Sequence, residues 1–332
     1  MSRADLAAAI LWVGATLYAL FGGADFGAGL WDLGAGDDER GEQRRALIQR
    51  SLTPVWEANH VWLIFILVVL WTAFPDAFGA IMSTLYVPIA LAALGIVLRG
   101  TGFAFRKSIR SPRLRRVMGR TFGLSSVLTP FFMGTVVGAI AAGNVPAHGD
   151  GSTFPSWIQT LPVMVGGLFV ASSAYLAAIF LVGDARRGGD ADLESYFVRQ
   201  AFSAAAVAGA LAAVALVTLH SEAPYVYDRL LDQGLPLVVL SSLCGIGVLV
   251  SLLRGWRRPL RPLAGGAVAA VIWGWGVAQF PYLLPTSLRI DQAAAPSPTL
   301  DAVLIVFVIA AIVVLPALGL LYWLSQRELL GE

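Results

Sequence analysis

Nine apolar stretches, each long enough to cross a hydrocarbon layer of about 30 Å, run through this sequence of 332 residues. They cover approximately 5–34, 53–74, 77–98, 120–143, 157–182, 197–220, 234–253, 262–284 and 300–324. Inside lipid no water is present to satisfy backbone N–H and C=O groups, so each stretch must satisfy its own, and the α-helix is the solution open to a continuous apolar run. A membrane β-barrel would instead show alternating segments of about ten residues. The predicted fold class is therefore an all-α integral membrane protein with nine transmembrane helices in one transmembrane domain over 1–332. The first stretch continues through Asp25 without a small-residue cleavage site, so it reads as a span and not as a signal peptide.

Composition agrees. Charged residues make up 13% of the chain, against about 25% in soluble proteins. A net charge of +2 is too small for a nucleic-acid binder that works by neutralising phosphates. The single cysteine, Cys244, excludes an intrachain disulfide and a Cys-ligated zinc or iron–sulfur site. No Gly-x-x-x-x-Gly-Lys or strand-borne Gly-x-Gly-x-x-Gly pattern suggests a nucleotide site.

The cations set an orientation. Of the 23 Lys and Arg residues, 35–52 holds four, 99–120 eight, 183–199 three, 254–261 four, and the C-terminal tail Arg327. Only Arg3, Arg229 and Arg289 fall on the other side. The positive-inside rule then predicts an external N-terminus and a cytoplasmic C-terminus. The segment from Arg99 to Arg120 reads as a basic cytoplasmic loop or short amphipathic helix. The external 144–156 and 285–299 segments read as loops without a folding core.

Ionisable residues inside spans are functional candidates. Asp25 lies in Phe21-Gly-Gly-Ala-Asp-Phe-Gly-Ala-Gly29, about nine residues or roughly 13 Å from the cytoplasmic end of the first span. Gly22 and Gly29, at i−3 and i+4, form a small-residue stripe that lets another helix approach closely, so Asp25 should face protein. It is either a structural acceptor between helices or a working acid. Glu57 lies in Pro54-Val-Trp-Glu-Ala-Asn-His-Val-Trp-Leu63 at the start of the second span. Pro54 suits a first helical turn, and a carboxylate there complements the helix dipole. Glu57 and His60 also share a face at i, i+3, with Trp56, Asn59 and Trp62 nearby. A carboxylate beside an imidazole in dry aromatic surroundings can relay a proton. Cap and relay both remain open. The histidines His60, His148 and His220 fall near the ends of spans or in a loop, and none lies at the mid-membrane depth where a haem in a bundle needs its axial ligands.

Three motifs carry a family resemblance. Gly-Ala-Asp-Phe-Gly-Ala-Gly in the first span resembles the Asp-containing, Gly-rich segment of subunit II of cytochrome bd-type quinol oxidases. Pro-Val-Trp-Glu-Ala-Asn-His-Val-Trp-Leu resembles that family's Pro-x-Trp-Asp/Glu-x-Asn-Gln/His-Val-Trp-Leu signature. Arg99-Gly-Thr-Gly-Phe-Ala-Phe-Arg106 is similar to its Arg-x-x-Gly-Phe-x-Tyr/Phe-Arg element, which makes Trp56, Trp62, Arg99, Gly102, Phe103 and Arg106 structural-motif residues. Thr129-Pro-Phe-Phe and the later spans agree in placement. The resemblance implies two four-helix bundles plus one peripheral helix in a bacterial cytoplasmic membrane. It implies a heterodimer with a haem-bearing subunit I that holds two b-type haems, haem d and the quinol-oxidising loop. The complex oxidises quinol, reduces dioxygen to water and draws protons from the cytoplasm. This chain would bind no haem or metal and would not be catalytic alone. Glu57, Asp25, His60 and Asn59 become proton-pathway candidates, with Glu57 standing where several relatives have Asp. A structural quinone, membrane lipids and small accessory single-span subunits are further implied associates. The competing reading is a proton-coupled secondary transporter using Asp25 and Glu57; Pro88 and Pro316 interrupt spans, but matched halves are not evident.

Overall fold

The computed structural model describes the backbone of residues 2–52, 56–109 and 111–326, and side chains within these except at 52, 56–58, 107–108, 112, 315, 318, 321–322 and 325–326. Among the described residues, eight helices are long and apolar enough to cross a membrane, or nine if one sharply bent pair counts as a span.

The first span is continuous but not uniform. Helix α1 (Arg3–Leu17) runs into a π-helical turn (Tyr18–Gly22), then α2 (Gly23–Leu33). Ser2 caps α1 by accepting from the Asp5 N–H, while the Asp5 carboxylate accepts from the Ser2 N–H, a reciprocal capping box. Helix α3 (Glu39–Leu52) is polar and lies outside the spans. The other elements are α4 (Trp56–Ala73), α5 (Pro75–Thr84), α6 (Tyr86–Ser108), α7 (Pro112–Ala141), α8 (Thr160–Arg187), α9 (Ala191–Glu222), α10 (Pro224–Asp232), α11 (Leu235–Leu253), α12 (Leu260–Gln279), α13 (Ile290–Ala293) and α14 (Ser297–Gln326).

Three expectations change. The predicted third span, 77–98, merges two helices: α5 turns 117° from α4, and the spanning helix starts only at Tyr86. Pro75 opens α5 after Phe74 leaves helical geometry (φ −139°, ψ 62°), because proline has no N–H to continue the α4 ladder. The span therefore shifts toward the C-terminus and takes Arg99 and Arg106 into the helix. Secondly, α6 runs to Ser108 and α7 starts at Pro112, so most of 99–120 is helical and not a loop. Thirdly, the segment after α12 is folded. Strands β1 (Tyr282–Leu284) and β2 (Leu288–Arg289) pair antiparallel, with Leu284 opposite Leu288. Leu284, Ile290 and Ala293 are buried in one core cluster with α1, α4 and α5, and the Ala295 N–H donates to the Ala73 carbonyl at the α4–α5 bend.

Helix α8 is the hub, packing against α2, α7 and α9. Its buried residues, from Ala174 to Ala185, anchor one core cluster with α2, α3, α9, α11 and α12. Around α1, α4 and the β1–β2 hairpin a second core forms. The outer faces of α9, α11 and α14 remain apolar and uncovered.

Candidate functional site

The interior end of α2 holds charge that a membrane interior tolerates only when paired. Asp25 and Arg99 are each 2% exposed and lie 3.2 Å apart as an ion pair. Seven residues further along both helices, the Arg106 Nη1 donates to both carboxylate oxygens of Asp32, at 2.9 and 3.0 Å. The two pairs have the same sequence offset, 74 residues. Seven residues is close to two helical turns, so two carboxylates on one helix face match two guanidinium groups on another.

Arg99, Gly102, Phe103 and Arg106 occupy i, i+3, i+4 and i+7, a single face of α6. A Cβ at Gly102 would lie 2.8 Å from the Met118 carbonyl oxygen and 2.9 Å from the Phe122 nitrogen, so only glycine lets α6 rest on α7 here. Phe103 then packs against the Phe122 ring with centroids 5.6 Å apart. The Arg99 guanidinium lies between the rings of Phe26 and Phe122, 5.1 and 5.2 Å from their centroids, where cation–π attraction supplements the ion pair.

Arg99 aims its N–H groups elsewhere. Its Nε donates to Ser126 Oγ at 3.1 Å and its Nη2 to the main-chain oxygen of Asp25 at 3.1 Å. Neither carboxylate oxygen of Asp25 therefore receives a hydrogen bond among the described residues. That is an uncommon state for a buried carboxylate and calls for a reason. A cavity of about 80 Å³ adjoins it, lined among others by Asp25, Ser51, Asn59, Ala177 and Asp184. At about 30 Å³ per water molecule it has room for two or three.

The small-residue stripe is real, but its closest contact is one the Gly22–Asp25–Gly29 pattern does not identify. A Cβ at Gly27 would sit 1.9 Å from the Ser173 carbonyl oxygen of α8. One at Gly29 would sit 2.2 Å from Ser126 Oγ, the acceptor for Arg99, whereas one at Gly22 meets only the Tyr18 ring in its own π-helical turn. Asp25 does face protein.

Around this pair the structure places several predicted residues. Asn59 is buried and donates through Nδ2 to the Phe21 carbonyl of the π-helical turn at 3.3 Å. The His60 ring lies against Phe26, centroids 6.5 Å apart. Trp62 is buried in a cluster with Tyr18 and Phe26. Glu57 and Trp56 belong to the backbone of α4, but their side chains lie outside the described residues. Asp32, Ser126 and the pairing role of Arg99 and Arg106 are additions that the sequence reading did not make. The equal seven-residue spacing of 25/32 and 99/106 was the available signal. His220 packs on Tyr227 at 4.7 Å, far along the chain from this site. No group of three His, Cys, Asp or Glu side chains that could hold a metal occurs among the described residues.

A polytopic helical bundle with a paired, glycine-packed charge ladder buried at one end defines the class: an integral membrane protein built around an intramembrane charged site. Within that class, the chain belongs to the cytochrome bd terminal oxidase subunit II family, whose model matches residues 4–325. It is similar to cytochrome bd ubiquinol oxidase subunit 2 of Bacillus subtilis (strain 168), 25% identical over 320 residues that cover 93% of this chain and 89% of the relative. A putative cytochrome bd menaquinol oxidase subunit II of the same organism is 20% identical over 334 residues, covering 97% and 95%. Cytochrome bd-I ubiquinol oxidase subunit 2 of Escherichia coli (strain K12) is 29% identical over 133 residues, 40% of this chain and 34% of the relative. In fold the chain is similar to a chain of the bd oxidase structure from Geobacillus thermodenitrificans, with a TM-score of 0.79 and 24% identity over 98% of each chain.

Proposed function

We propose that this chain is the haem-free subunit of a bd-type complex that oxidises quinol and reduces dioxygen to water, seated beside a haem-bearing subunit I. Its charged end faces the cytoplasm and contributes to the route by which protons reach the reaction. The observation that carries this reading is Asp25: a carboxylate 2% exposed, kept in an ion pair by Arg99, with both oxygens free of hydrogen bonds among the described residues beside a cavity that also touches Asn59 and Asp184. A carboxylate whose only role is to join helices would be expected to use its lone pairs on protein donors. This one leaves them for water. Glu57 and His60 belong to the same route, with His60 against Phe26, the residue next to Asp25.

In this reading the family's haems b and d belong to subunit I, since His60, His148 and His220 sit away from the middle of the spans. In the sequence, 20 of the 23 cations fall within or beside the connections assigned to one side, which supports an external N-terminus and cytoplasmic C-terminus. The uncovered apolar faces of α4, α6 and α14 are available to subunit I, to lipid and to accessory single-span subunits.

The test is turnover of the assembled complex, normalised to haem. Asp25→Asn and Glu57→Gln keep size and hydrogen bonding while removing the exchangeable proton. Glu57→Gln should assemble with full haem content but show slowed oxygen consumption and proton uptake, with Glu57→Asp retaining partial activity; Asp25→Asn, which strands Arg99, should lower the yield of complex and slow turnover per haem in the fraction that assembles. Near-normal rates in both variants would reduce the chain to a scaffold. A stoichiometric haem on the isolated, well-folded chain would overturn the assignment itself.

A further inference from the structure

Away from the ladder, at the same charged end of the molecule, the ends of α8 and α12 and the α11–α12 connection enclose a cleft of about 680 Å³. Five arginines line it: Arg186, Arg187, Arg257, Arg258 and Arg261. The two nearby acids are already engaged. Asp184 pairs with Arg187 and Arg261, and Glu194 pairs with Arg257 at 2.7 Å. Arg186 and Arg258 are exposed and make no ion pair among the described residues, so the cleft keeps uncompensated positive charge.

Its shape is built into the chain. Gly255, at φ +69°, turns the chain out of α11, a conformation glycine adopts without strain. Gly183 leaves room for Arg261, whose Nη2 would lie 3.0 Å from a Cβ at that position. Arg261 thereby lies against α8 and donates to the Phe180 carbonyl at 3.0 Å. Helix α12 begins in the cleft wall at Leu260, adding the positive end of a helix dipole. Trp256 lines the cleft and is 53% exposed, as suits an aromatic residue at a headgroup boundary. Beside the cleft, α11 carries an uncovered apolar row, Leu243, Ile246, Val250 and Leu253, at the i, i+3, i+7, i+10 spacing of one helix face. The row ends two residues before Gly255.

We propose that this cleft seats the phosphate of an anionic membrane phospholipid, with Arg186 and Arg258 as its principal charge partners and the acyl chains lying along the α11 row. A basic pocket between helices provides the charge for a phosphate headgroup, and the adjoining apolar row selects a ligand that also has tails. Arg186 and Arg258 line only the cleft, while Asp184, which pairs with Arg187 and Arg261, also lines the cavity beside Asp25.

The experiment uses the intact complex in nanodiscs of phosphatidylglycerol and phosphatidylcholine. Retained lipid is counted by native mass spectrometry, and a photoactivatable phosphatidylglycerol is cross-linked and mapped. The expected result is enrichment of phosphatidylglycerol, cross-links at 183–187 and 254–261, and about tenfold or greater loss of the retained anionic lipid in the Arg186→Gln/Arg258→Gln variant. Equal retention of the two lipids, unchanged retention in the variant, or cross-links confined to other helices would overturn the proposal. Displacement of the cross-link by millimolar inorganic phosphate would also overturn it, by assigning the cleft to a soluble anion. Should the variant fail to assemble, the wild-type cross-link map decides alone.

Discussion

Two arginine–aspartate sites at the same end of the molecule invite comparison. In the interior, Arg99 and Asp25 are both 2% exposed and Asp32 is 3% exposed beside Arg106. At the rim, Asp184 is shared by Arg187 and Arg261, with Arg187 48% exposed. The inner site matches one acid to each base, and its glycines bring the helices close enough to bury both pairs. The outer site has more bases than acids, and water screens the excess. Identical chemistry thus has opposite consequences. Burial makes each inner charge dependent on its partner, while the rim charges are nearly independent and are left to attract other ions.

The sharpest way to break the comparison is to remove one inner partner. Arg99→Gln leaves the Asp25 carboxylate buried and unpaired, which costs about 3–5 kcal/mol in such settings. The assembled complex should fall sharply in yield, with a clear drop in its unfolding midpoint in detergent. The double variant Asp25→Asn/Arg99→Gln should lose less than the two single losses combined, because contacting charges couple by about 0.5–3 kcal/mol. Additive losses would mean that the pair is not a unit.

The next effect in size tests the packing that encloses the ladder. Gly27→Ala forces a Cβ into the Ser173 carbonyl at 1.9 Å, and overpacking of this kind costs about 1–3 kcal/mol. Gly29→Ala pushes on Ser126 instead and should disturb the Arg99 hydrogen bond with a smaller loss of assembly. Gly22→Ala meets only Tyr18 of its own turn and should be mildest. An equal effect at all three would mean that the helices separate as a block rather than pivoting at Gly27.

How much of this was visible in the sequence differs from feature to feature. Long apolar runs revealed the spans because hydropathy senses burial in lipid directly. The turn at 74–76 was legible in Phe74-Pro75-Asp76, but the separate helix after it was not, because Ala77, Phe78, Ala80 and Ile81 are as apolar as a span and the docked segment at Ala295 is a tertiary contact. The same merging displaced the third span and left Arg99 looking like a cytoplasmic cation. An arginine reads as a topology marker until its carboxylate is known, although the matched 25/32 and 99/106 spacings were present. Residues 282–284 read as the end of the eighth span because they are apolar, and 285–289 as a loop because Pro285, Thr286 and Ser287 mark a turn; α12 instead ends at Gln279, and the burial of Leu284 depends on α1 and α4, distant in sequence.

The smallest expected effect belongs to the rim, and it sharpens the comparison by its smallness. Arg187 reaches Asp184 across one helical turn, i to i+3, a pairing worth about 0.2–0.5 kcal/mol on an exposed helix. When Arg187 is replaced by Gln, Asp184 keeps Arg261, so no charge is stranded. The unfolding midpoint of the complex should shift barely, and about 0.5 M salt should erase the remaining difference by shortening the screening length to a few ångströms. The Arg99→Gln loss should persist in the same salt, because counter-ions cannot reach a pair enclosed by Phe26, Phe122 and Ser126. A salt-resistant loss at Arg187 comparable to that at Arg99 would mean that the rim is as enclosed as the ladder, and the distinction between the two sites would fail.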